Sequence, residues 1–181
     1  MKKITALFSG VLFMGSLMSL TGDWKTSVTT MLADFQSCST AKKGAECKTY
    51  CAKAIKTMYG VNDFDAAGKP GGMLDVNGVA NYIKKSSNWK LLGDAGTQDI
   101  LTQAETLANG GKAVVAMMET DNGASHISII APGSLVSCGK AGLKCPNSVS
   151  FFINSPDRSY VGKPLAYSFK TLEGIKIYAR N

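Results

Sequence analysis

The stretch KAVVAMMETDNGASHISIIA, Lys112 to Ala131, decides how this chain folds. Lys112 to Met118 is a short, almost uninterrupted apolar run, ETDNGAS is polar and holds a glycine, and His126 to Ala131 is apolar again. Runs of this length are too short for helices, and a turn segment separates them, so they read as two buried strands of a hairpin. Downstream, SVSFFIN (Ser148 to Asn154) reads as a third strand and IKIYA (Ile175 to Ala179) as a fourth. Upstream the apolar period is helical. It runs from Trp24 to Phe35, again through Cys47, Tyr50, Cys51, Ala54 and Met58 to a stop at Gly60, then through Val76, Val79, Ala80 and Ile83. Ile100, Leu101, Ala104, Leu107 and Ala108 mark one more helix, closed by Gly110 and Gly111. Helices first and an antiparallel sheet afterwards is an α+β pattern, with N-terminal helices packed on the sheet.

At 181 residues the chain suits a single domain with a substantial core. The N-terminal segment 1–22 stands apart: Lys2 and Lys3 precede an apolar run from Ile4 to Leu20, the plan of a signal peptide or hydrophobic leader. The run is short for a membrane span, so no stable span is expected in the mature protein, and residues 23–181 form the domain. A net charge of +7 favours an acidic partner. The lysines and arginines are scattered without a basic block interleaved with aromatics, which argues against nucleic acid.

Five cysteines point to an oxidising destination, secreted or periplasmic, with one thiol left over if the rest pair. Cys138 and Cys145 flank the loop CGKAGLKC and suit a local cross-link, while Cys38 precedes both Cys47 and Cys51 and is able to bridge to either. The C-x3-C spacing of Cys47 and Cys51 is not a zinc knuckle, and the single histidine lies far away in sequence, so no metal and no cofactor are expected. A thiol is nucleophilic as thiolate, and a helix N-terminus or an imidazole lowers its pKa. Read as the first turn of its helix, Cys47 is the better nucleophile, and Cys51, one turn deeper, the better core residue or disulfide partner. Any Cys–His mechanism must use His126.

ECKTYCAKAIKTMYG resembles the nucleophile helix of NlpC-type and CHAP-type peptidoglycan amidases, with Tyr50 in the place of their conserved-spacing aromatic. GASHISIIAPG resembles their histidine strand. VNGVANYIKKSSNWKLLG and QAETLANGGKAVVAMMETDNGASHISIIAPG are similar to parts of the type VI secretion amidase effectors, over roughly residues 44–132. The resemblance implies a papain-like cysteine hydrolase that cuts cell-wall peptide stems, commonly between γ-D-glutamate and diaminopimelate. In such an enzyme Cys47 attacks the amide carbon, His126 moves the proton, and a polar group on the next strand orients the imidazole. Asn154 is the candidate for that last role, with Asp157 as runner-up. Tyr50, Trp89 and Ser125 are candidates for contact with substrate, and Cys51 is packing or the disulfide partner of Cys38. The resemblance also implies bacterial peptidoglycan as partner and a possible cognate immunity protein. The other class of function is a non-catalytic, disulfide-stapled module that binds the cell wall.

Overall fold

A computed structural model describes residues 23–40, 44–139 and 142–181. The leader segment 1–22 lies outside the described residues. Among the described residues five α-helices, α1 (Trp24–Thr40), α2 (Gly44–Cys47), α3 (Tyr50–Tyr59), α4 (Val76–Lys85) and α5 (Gln98–Asn109), accompany six strands. These are β1 (Trp89–Asp94), β2 (Val114–Thr120), β3 (Gly123–Ser137), β4 (Lys144–Ser150), β5 (Tyr160–Pro164) and β6 (Lys176–Arg180). They form one sheet in the order β1-β6-β2-β3-β4-β5, with every neighbouring pair antiparallel. The chain is therefore α+β.

The central hairpin pairs Val115 with Ile129 and Met117 with Ile127. Its strands are apolar at consecutive positions because both faces are covered. Val115, Met117, Ile127, Ile129, Val149 and Phe151 pack with Phe35, Ile55, Met58, Val79 and Ile83 from α1, α3 and α4. Val114, Ala116, Ile130 and Ile177 pack on the opposite face with Leu101, Ala104 and Ala108 of α5 and with Leu165 and Phe169.

Three expectations need correction. The helix expected to begin at Cys47 is broken: Cys47 closes the short α2, and α3 starts only at Tyr50, after Thr49 at its N-cap. The Thr49 hydroxyl donates to the Glu46 carbonyl at 2.7 Å, a local side-chain bond that competes with the backbone ladder. The strand expected over residues 148–154 runs instead from Lys144 to Ser150. Beyond it Ser155 N–H closes a turn onto the Phe152 carbonyl at 3.1 Å, and Asn154 sits within that turn. Two edge strands were also not anticipated. β1 is anchored by Trp89, whose indole N–H donates to Asp63 at 2.9 Å, and the Arg180 guanidinium pairs with the same carboxylate at 2.9 and 3.0 Å.

Helix α4 locks the hairpin turn into position. Asp75 caps it, accepting from Gly78 N–H at 2.8 Å. From its first turn Asn77 Oδ1 accepts from Ala124 N–H at 3.4 Å, and Lys84 donates to the Gly123 carbonyl at 3.3 Å. Gly123 has φ +143°, and a Cβ there would fall 2.7 Å from Asn77 Oδ1 and 3.0 Å from its Cα. Strain and collision both act on any larger residue. Gly123→Ala is expected to lower unfolding stability by about 1–3 kcal/mol, read from the urea midpoint. A variant as stable as the wild type would show that the close approach to α4 is not required.

Candidate functional site

A cavity of about 470 Å³ opens at the end of the sheet where β3 begins and β4 finishes. Its walls include Cys47 and Lys48, Asp75 to Asn77 at the start of α4, Ser125 to Ile127, Phe151 to Ser155, and Phe169. Cys47, Ser125, His126 and Asn154, taken from three separate stretches of sequence, thus meet in one cleft.

The cysteines are arranged differently from expectation. Cys38, in the last turn of α1, is bonded to Cys47, not to Cys51. The two bonded residues have Cα atoms 5.8 Å apart, and α2 packs against α1. Cys51 is the free thiol. It faces the core from the first turn of α3, and burial alone pushes its pKa up to about 12. At neutral pH it is a packed thiol rather than a nucleophile. Cys138 and Cys145 are bonded to each other across their loop. Cys47 is itself almost fully buried and its sulfur is committed to the cystine in this form.

His126 lies at the mouth of β3, opposite Met118 of β2. A register irregularity between Met118 and Glu119 leaves Ser125 as the extra residue on the β3 side and sets His126 at the cleft. Its ring stacks on Phe152, with centroids 4.3 Å apart and planes within 6°, and meets the edge of Phe169 at 5.5 Å. Nε2 lies 3.3 Å from Ser150 Oγ. Ser150 belongs to a buried hydroxyl cluster with Ser128, Ser148, Ser168 and Tyr160. His126 shares the sheet face of Ser128 and Ser150, whereas Cys47 belongs to the apolar cluster on the other face, so the cleft wraps around the sheet end. Among the described residues the histidine and Cys47 are not directly bonded.

Other expected site residues sit elsewhere or act otherwise. Tyr50 is buried, in edge contact with Phe35 at 5.3 Å and tilted against Phe151 at 6.0 Å, so it is a core aromatic rather than a substrate contact. Trp89 packs on Phe64 at 5.7 Å, and Asp63 holds its N–H. It anchors β1 and lines no part of the cleft. Ser125 does line the cleft, its hydroxyl donating to the Met118 carbonyl at 3.4 Å. Asn154 is exposed in the wall, and neither it nor Asp157 bonds the imidazole. The turn after β4 carries both past the ring, and Ser150, the last residue of the strand, is the polar group beside it. Ser150 escaped the sequence reading because a serine in an apolar strand looks like an outward-facing position. The available signal was the two-residue spacing of Ser148 and Ser150 within a strand buried on both faces.

Among the described residues no group of three or more histidines, cysteines or carboxylates is placed to hold a metal ion. None of their helices is long and apolar enough to cross a membrane. No protein-family model matches the chain, and no curated protein is significantly similar to it.

Burial, and then the charge of Arg158, lowers the His126 pKa from 6.5 to about 4. The folded form thus resists a proton that the unfolded chain accepts below about 6.5. The stability tied to a neutral ring is complete above that pH and is shed as pH falls towards about 4, by up to roughly 3 kcal/mol. Urea unfolding of wild type and His126→Phe across this range should show the wild type losing stability relative to the variant as the buffer is acidified. Parallel curves would mean that the ring titrates alike in both states.

Proposed function

We propose that the chain is a thiol-dependent peptidoglycan amidase of papain-like type, delivered or exported to an oxidising compartment and silent while Cys47 is a cystine. The observation supporting this reading is the convergence of Cys47 and the sole histidine on one cleft large enough for a peptide stem. Reduction would release the nucleophile. A dithiol attacks the Cys38 sulfur, Cys47 leaves as thiolate, and the reductant's second thiol closes its own disulfide and frees Cys38. Cys47 then attacks the scissile amide carbon and the C–N bond breaks. His126, having taken the proton of the reduced Cys47 thiol, gives it to the departing amine, and water hydrolyses the thioester. The reading requires the freed sulfur to come within about 3–4 Å of the imidazole. The bond proposed for cleavage joins γ-D-glutamate to diaminopimelate, whose carboxylates suit a chain of net charge +7 with Lys48 in the cleft wall. An antibacterial role, with a cognate immunity protein covering the cleft, follows from the same reading.

One observation favours a second account. The Cys38–Cys47 cystine fits a stapled, non-catalytic wall-binding module equally well, its two disulfides both structural.

The two accounts diverge under reduction. Purified peptidoglycan incubated with wild type and dithiothreitol is expected to yield new amino groups, and Cys47→Ala none. Cys38→Ser leaves Cys47 without its partner and should cut without added reductant. If reduced wild type and Cys47→Ala release equally little while both sediment with peptidoglycan, the binding module is the correct account.

A further inference from the structure

The hydroxyl cluster behind His126 is built into the fold. Ser128 of β3 pairs with Ser150 of β4, and Ser150 pairs with Tyr160 of β5, so three adjacent strands deliver polar groups to one row. Ser168 enters from the turn that follows Leu165–Tyr167. All five hydroxyl residues are buried, and Ser128, Ser148 and Ser150 have no exposed surface. A cluster of this kind inside an apolar sheet is costly unless its groups satisfy one another.

Counting protons shows how they do so. Each hydroxyl carries one. Ser128 gives its proton to the Val149 carbonyl at 3.2 Å and Ser148 to the Lys163 carbonyl at 3.2 Å. The protons of Ser150, Ser168 and Tyr160 must then serve five oxygen–oxygen contacts: Ser150–Ser128 (2.8 Å), Ser150–Ser168 (2.6 Å), Ser168–Ser128 (2.9 Å), Ser168–Tyr160 (2.5 Å) and Tyr160–Ser148 (2.9 Å). The cluster is short of protons. Were Nε2 a bare lone pair, Ser150 would have to turn its proton towards the ring and deepen the shortage. A protonated Nε2 donates to Ser150 and leaves all three protons to the oxygen–oxygen contacts.

We propose that Ser150, held by Ser128 and by Ser168, which Tyr160 supports in turn, is the positioning residue of His126, accepting a hydrogen bond from Nε2–H. The imidazole is thereby fixed as the tautomer whose free lone pair is on Nδ1. Phe152 and Phe169 set the ring plane, and Ser150 sets its rotation and its proton. The catalytic consequence rests on the amidase reading above: Nδ1 is then the atom that takes and returns the proton. A neutral hydroxyl in this role leaves the ring without the charge support a carboxylate would provide.

The single histidine makes the test unambiguous. Nitrogen NMR of the folded, ¹⁵N-labelled full chain is expected to show Nε2 protonated and Nδ1 unprotonated near neutral pH. Ser150→Ala should give a rapidly exchanging mixture of tautomers, and Ser150→Thr should restore the single form. If Ser150→Ala does not fold, Tyr160→Phe, which keeps the ring volume, serves instead and should loosen the same preference in part. In the reduced enzyme Ser150→Ala should lower kcat by about ten- to a hundredfold with little change in KM. A wild-type ring protonated on Nδ1, or tautomer populations unmoved by Ser150→Ala, overturns the inference. Absence of hydrolysis by reduced wild type counts against the amidase reading alone, since the tautomer is read without activity.

Discussion

The pairing of β2 with β3 at the centre of the sheet, apolar on both faces, is the constraint from which the rest of the molecule follows. Val115 and Met117 look towards α1, α3 and α4, while Val114 and Ala116 look towards α5, so neither face of the hairpin is available to water. Any polar side chain on these strands must find its partner within the protein. That requirement gathers Ser128, Ser148 and Ser150 into one cluster with Tyr160 and Ser168. His126 lies near the start of β3, where the covering layers part at the cleft.

The cleft is a product of endings. β4 stops at Ser150, α4 begins at Val76, and α2 closes at Cys47, each at the same rim of the sheet. Side chains there are anchored on regular elements yet border open space, an arrangement suited to a binding or reacting site. The two halves differ in character. On the His126 side the ring is held by aromatic stacking and a neutral hydroxyl. On the Cys47 side a covalent bond ties α2 to the end of α1, so the chemistry open to the cleft depends on the state of that bond.

The helical stripes of α4 and α5, the β2–β3 hairpin and the segregation of helices before the sheet were legible in the residues, because burial imposes a local period that composition records directly. Cys47 and His126, singled out in the sequence, both line the cleft. β1 and β5 were not legible. Edge strands bury one face at most, and their stability comes from partners distant in sequence, as with Trp89 and Arg180 meeting on Asp63.

The amino-acid order by itself determined the α+β class, the central strands and the surplus of positive charge, since each follows from local pattern or simple count. Only the tertiary structure decided that Cys38 joins Cys47 rather than Cys51, that Tyr50 and Trp89 are core anchors, and that Ser150 stands against the imidazole. Those outcomes hang on where a helix breaks and a strand ends. The break falls at Lys48–Thr49 and the strand end at the turn after Ser150, and both decide which side chains come into contact across the fold.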